Sequence, residues 1–198
     1  MMLLQDSRYL GGVNELTIIT TIRQGRVPGS TLTYLQQLQA VVDSIANRER
    51  RGIPTPIRLI PTIHFARWIV WQDGERQLLI FTSNYDGSMW QYLRDFSALI
   101  ADDMDRVWGN CEGYPEGGCR DFEAFWQYVV DHQVETAGFY AANPNETLLR
   151  GQSLVSFKRA FDQFVAQHFA GGSGAQDFQE AFGRFLLDNQ SYLVQSKQ

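Results

Sequence analysis

The sequence predicts an α+β protein: a ferredoxin-like βαββαβ arrangement with a four-stranded antiparallel sheet, a helical insertion and a helical C-terminal tail. Alternating β-branched runs mark the strands, and apolar residues recurring at every third or fourth position mark the helices. A tight polar turn joins the middle strands, so two β-α-β halves stand back to back, and a Phe-rich stretch follows.

The first strand is read over 16–23, from Leu16-Thr17-Ile18-Ile19 to Ile22-Arg23. A Gly- and Pro-bearing loop follows, and Ser30 is the expected N-cap of a helix carrying Tyr34, Leu35, Leu38, Val41, Val42 and Ile45. The basic run Arg48-Glu49-Arg50-Arg51 suits a helix C-terminus, where cations meet the negative end of the dipole. A long strand over 60–71 turns at Gln72-Asp73-Gly74-Glu75 into a return strand over 77–84. Ser88 caps a second long helix, whose apolar stripe runs from Met89 through Phe96 and Ile100 to Val107. A third helix starts near Asp121, and a short fourth strand is expected at Thr136–Ala141.

This order divides the chain into an N-terminal arm (1–15), a ferredoxin-like domain (16–145) with an insertion at 109–133, and a helical extension (146–198) packed on that domain. Phe157, Phe161 and Phe164 lie in the extension, with Gly171-Gly172-Ser173-Gly174 as a flexible joint before Phe178, Phe182 and Phe185. Right-handed crossovers place both long helices on one face of the sheet. The other face, with Trp68 or Trp71 on it, then needs a cover, and a cavity beside the sheet is where function is expected. The candidate covers are a second subunit, giving a homodimer through the open sheet face, and the Phe-rich tail.

Composition narrows the function classes. The 198 residues carry 17 Lys and Arg against 22 Asp and Glu, a formal net charge of −5, which lacks the basic footprint of a nucleic-acid binder. No run reaches the roughly 18–20 apolar residues that a membrane span needs. The start, Met1-Met2-Leu3-Leu4-Gln5-Asp6, turns polar too early for a signal peptide, so a soluble cytoplasmic protein is expected. Cys111 and Cys119 are not in a CxxC spacing, and a cytosolic setting favours two thiols over a bridge.

Three stretches carry a resemblance: Ile63-His64-Phe65-Ala66-Arg67-Trp68, then Leu79-Ile80-Phe81-Thr82-Ser83-Asn84-Tyr85-Asp86-Gly87-Ser88, then Tyr92-Leu93-Arg94-Asp95-Phe96. Together with Gly138-Phe139-Tyr140-Ala141-Ala142-Asn143-Pro144, they resemble a bacterial ferredoxin-like family of the dimeric α+β-barrel type. Some members of that family are labelled relatives of dye-decolourising haem peroxidases. The resemblance spans roughly 16–165 and implies the fold more than an activity. The peroxidases' Gly-x-x-Asp-Gly motif is altered here, since Ser83 stands where its first Gly belongs, and no haem ligand is carried over.

The polar residues on otherwise apolar strands are the candidate catalytic groups: His64, Arg67 and Asp86. His64 and Arg67 sit three apart on the long strand, so they are expected on opposite faces, His64 with Thr62, Ala66 and Trp68, and Arg67 with Ile63, Phe65 and Ile69. His64 is read as a hydrogen-bonded core histidine, as a metal ligand, or as a general base, forming an acid–base couple if Asp86 reaches it. Arg67 is read either as a buried ion pair with Asp86 or Asp95, or as an anion clamp. Trp68, Asn84, Tyr85 and Tyr140 complete the candidate ligand-binding set. Asp102, Asp103 and Asp105 read as a solvated acidic face, and His132 and His168 as helix-end histidines.

The leading function is a protein that binds or transforms a small hydrophobic ligand, oxygenated in one version, beside the sheet. One alternative is a haem-binding, peroxidase-like protein, with haem as cofactor and His64, His132 or His168 as axial ligand. The other is a non-catalytic protein-interaction module.

Overall fold

A computed structural model describes residues 12–169 and 175–193. The expected Gly171–Gly174 joint and most of the expected N-terminal arm lie outside the described residues. The chain separates into two compact units, Met1–Asn145 and Glu146–Gln198.

Among the described residues the first unit contains three strands, β1 (Val13–Thr21), β2 (Ile63–Asp73) and β3 (Arg76–Asp86), joined in the order β1-β3-β2 with both pairings antiparallel. This corrects the four-stranded ferredoxin-like expectation. The segment placed as a fourth strand, 136–141, is irregular. Its neighbour Gln133 makes an isolated bridge with Ile18 of β1, and the Val134 amide donates to the Thr17 carbonyl at 2.9 Å. The chain therefore touches the β1 edge where a fourth strand would stand, then leaves it. Gly138, Asn143 and Pro144 are poor strand formers, which fits that departure.

The hairpin between β2 and β3 turns on Gly74, whose φ of 60° is the left-handed conformation such turns require. Helix α1 (Tyr34–Arg50) starts later than expected: Thr33, not Ser30, is its N-cap. Thr33 and Gln36 form a reciprocal capping box, the Thr33 amide donating to Gln36 Oε1 at 2.9 Å and the Gln36 amide to Thr33 Oγ1 at 3.2 Å. The expected single helix after Ser88 is two. α2 (Met89–Leu99) ends at Ile100, whose φ of −137° breaks the helix, and α3 (Ala101–Trp108) follows. α4 (Phe122–His132) is capped by Asp121.

Register sorts the sheet into two faces. Leu16, Ser83 and Ala66 align across it, as do Ile18, Phe81 and Trp68, and Thr20, Leu79 and Val70. These rows meet Leu38 of α1, Tyr92 and Phe96 of α2, Trp108 of α3 and Phe125 of α4 in one core. Phe81 is its centre, with ring centroids 5.5 Å from Trp68, 6.4 Å from Phe96 and 5.1 Å from Trp108. The opposite rows are Thr17, Thr82 and Arg67, then Ile19, Ile80 and Ile69, then Thr21, Leu78 and Trp71. On β2 this outer face is open: Phe65 is 61%, Ile69 42% and Trp71 54% exposed.

The second unit is helical among the described residues. It contains α5 (Leu148–Phe169), α6 (Ala175–Asp188) and α7 (Gln190–Leu193). Phe157, Phe161, Phe164, Phe182 and Phe185 stack between α5 and α6 and supply its apolar centre.

Candidate functional site

The site begins with a fault in strand pairing. Ile63 pairs with Tyr85 and Phe65 with Asn84, so His64 is the extra residue of a β-bulge. A bulge re-aims the side chain it carries. It also breaks the expected two-residue alternation. Ile63 joins the core side with Tyr85, while Phe65, Arg67 and Ile69 run along the outer face. The expected grouping of Ile63 with Arg67 is corrected by this one inserted residue.

Freed from the ladder, the His64 imidazole meets Asp86, the last residue of β3. Nε2 lies 2.7 Å from Asp86 Oδ1, and the side chains are 18% and 7% exposed. A carboxylate accepts here, so Nε2 carries a proton, and the tautomer this selects for a neutral ring has its lone pair on Nδ1. The Asp86 amide donates to the Thr62 carbonyl at 2.9 Å, which ties the end of β3 to the entry of β2. Gly87 follows with φ 80°, and Asn14 Nδ2 donates to its carbonyl at 2.7 Å, closing the corner against β1. Ser88 then caps α2 by accepting from the Gln91 amide.

The other candidate residues divide. Arg67 is exposed on the outer face, its guanidinium carbon 5.8 Å from the Phe65 ring centroid, and forms no ion pair with Asp86 or Asp95. The buried-pair reading is thereby corrected. Asn84 aligns with Phe65 and Glu15 on the same face. Trp68 and Tyr85 belong to the core. Trp68 packs on Phe81, and Tyr85 lies stacked on Tyr92 with centroids 4.0 Å apart. Tyr140 is 85% exposed in the irregular segment after α4. The structure thus brings His64, Asp86, Asn84, Phe65 and Arg67 to one corner and leaves Trp68, Tyr85 and Tyr140 elsewhere. The sequence places Phe65 on Arg67's face but not among the site residues, because its alignment with Asn84 depends on the register of two strands.

No family model, curated protein or solved structure matches the chain. The corner is therefore read from its own geometry.

That geometry suits proton transfer at Nδ1 of His64, with Asp86 orienting the ring and stabilising its protonated form. It does not suit His64 as a haem ligand through Nε2, because that nitrogen is committed to Asp86. His132 and His168 each donate from Nδ1 to the carbonyl four residues back, Tyr128 at 2.8 Å and Phe164 at 2.9 Å. Among the described residues, no group of three His, Cys, Asp or Glu side chains gathers where it would hold a metal ion.

The acidic cluster is not one solvated face. Asp102 pairs with Arg120 at 2.9 Å, and Asp103 lies 3.7 Å from Arg106. Asp105 turns inward and accepts from the Tyr114 hydroxyl at 2.6 Å and the Cys119 amide at 2.7 Å. Cys111 and Cys119 are buried free thiols.

Proposed function

We propose that the first unit handles a small, hydrophobic, oxygenated molecule at the corner where β2 and β3 meet, with His64 as general base. The observation that supports this reading is the hydrogen bond between His64 Nε2 and Asp86 at the bulge. It holds one tautomer and leaves Nδ1 as the acceptor. Phe65 supplies apolar contact area. Arg67, whose guanidinium carbon is 5.8 Å from that ring's centroid, is placed to orient a carboxylate or another oxygen-bearing group. Asn84 adds an amide able to donate or accept.

A panel of small aromatic and aliphatic carboxylates, ketones and phenols tests the reading by ligand-observed NMR. Compounds that bind the native chain are expected to lose affinity in both His64→Ala and Arg67→Ala. Equal binding to the native chain and both folded variants overturns the assignment.

A second reading rests on the outer face itself. Phe65, Ile69 and Trp71 present large apolar side chains on one exposed strand, and a second copy of the chain is the proposed cover. The expected mass in solution is that of a dimer, and Trp71→Glu is expected to return it to a monomer. A monomeric native chain overturns this reading and leaves the acid–base one standing.

A further inference from the structure

We propose that the free edge of β2 pairs with β2 of a second copy of this chain, the two strands running antiparallel about a two-fold axis at Ile69. The proposal rests on the second-copy reading above and names its contact, which is the edge strand.

β2 ends the sheet order β1-β3-β2, and among the described residues no strand or bridge pairs with its free side. The direction of its peptide groups follows from the neighbouring ladder. The Ile22 amide donates to the Gln77 carbonyl at 2.8 Å and the Thr20 hydroxyl to the Leu79 carbonyl at 3.4 Å, so these β3 residues turn toward β1. Antiparallel pairing alternates, so Leu78 and Ile80 turn toward Trp71 and Ile69. The amides and carbonyls of Ala66, Trp68, Val70 and Gln72 therefore point out of the sheet. Such a row is a template for another strand, and proteins commonly blunt it with Pro, Lys or a bulge. Residues 65–72 include neither Pro nor Lys, and the bulge at His64 lies before them. Exposure also favours the edge over the whole face. On the outer face Phe65, Ile69 and Trp71 of β2 are exposed, whereas Leu78 and Ile80 of β3 and Ile19 of β1 are half-buried.

The occupant is a second copy because this edge is complementary to itself. With the axis at Ile69, Ala66 pairs with the partner's Gln72 and Trp68 with the partner's Val70. Every outward amide and carbonyl of the four residues is then used, in about eight backbone hydrogen bonds. An axis at Trp68 would bring Gln72 opposite His64, which the bulge takes off the ladder. The charge pattern selects the same register. Arg67 is the single charged residue of 65–72. The axis at Ile69 sets it opposite the partner's Trp71, a cross-strand cation and aromatic ring. It also holds the two Arg67 positions roughly 13 Å apart along the ladder, so their like charges do not meet. Ile69 meets the partner's Ile69 on the axis, and exposed apolar side chains of β2 are covered by their own counterparts.

Two measurements on the full chain test this contact. In the first, backbone amide exchange is followed by NMR from dilute to concentrated protein. The amides of Ala66, Trp68, Val70 and Gln72 are expected to slow by roughly 100-fold as the dimer forms, because exchange then requires the edge to open. A chain that stays monomeric at every concentration overturns the proposal together with the second-copy reading. A dimer in which these four amides exchange as fast as in the monomer overturns the edge contact alone. In the second, Ile69→Cys is oxidised beside Phe65→Cys. Both positions are exposed, so the variants keep the fold, and the native thiols are buried. Ile69→Cys is expected to form a disulfide-linked dimer roughly tenfold faster, because the axis sets position 69 opposite itself in a close pair without ladder bonds. Equal rates at the two positions overturn the register and the proposal with it.

Discussion

A Cβ placed on Gly118 would stand 2.6 Å from Oδ2 of Asp105. The loop holding both cysteines is thus drawn onto α3 as closely as a residue without a side chain permits. Gly118 also has φ 65°, so the position excludes side chains on backbone grounds as well. The Asp105 carboxylate uses this proximity to accept from Tyr114 and from the Cys119 amide. Asp105→Ala is expected to lower unfolding free energy by about 2–4 kcal/mol, since two hydrogen bonds to a charged acceptor go together. Gly118→Ala is expected to destabilise too. Urea unfolding of the two variants checks both, and native-like midpoints would show that the loop is held by something else.

Acid stability is expected to depend on Glu49. Its hydrogen bonds from Arg58 and Thr55 bring its carboxyl down from the usual 4.5 to about 2. A carboxyl depressed by folding adds stability above its unfolded pKa and loses it as the pH falls toward the folded value. The loss therefore belongs to the window from about 4.5 to about 2. Tm measured from pH 6 downward should fall less steeply in Glu49→Gln than in the native chain. Parallel curves would refute the assignment.

The thiols should be slow toward alkylating and disulfide-exchange reagents. Burial raises Cys111 to about 11 and Cys119 to about 12, from an ordinary value of 9.0. The thiolate is the nucleophile, so little of it forms near neutral pH in the fold. Denaturation should release both at once. The same shift makes stability decline with rising pH, beginning above about 9 and continuing toward the folded values, because the unfolded chain ionises first. Rapid labelling of the native chain at pH 8 would contradict this account.

Phe81 is fully buried between sheet and helices. Phe81→Ala is expected to cost about 3–5 kcal/mol, the range for deleting a buried aromatic ring. The same deletion at Phe65, mostly exposed on the other face, should cost under about 1 kcal/mol in the monomer. Denaturant midpoints of the two variants compare the faces directly.

The residue pattern alone determined the three strands, the hairpin at Gly74, the cap at Ser88, the start of a helix near Asp121 and the aromatic helices of the C-terminal unit. These follow from alternation, periodicity and turn chemistry, which act over a few neighbouring residues. It also placed His64, Asp86, Asn84 and Arg67 among the groups worth watching. The tertiary structure decided the rest. A fourth strand needs an edge to pair with along its length, and the segment 136–141 after α4 is irregular beyond the isolated Gln133 bridge to Ile18. Ile100 divides the helix after Ser88 although the apolar stripe runs through it, because the backbone there leaves helical geometry while the side chain remains in the core. The bulge at His64 is a mismatch between two strands, and no single strand's sequence records it. That mismatch turns a histidine toward the carboxylate at the end of the next strand, because pairing register is a property of two segments at once.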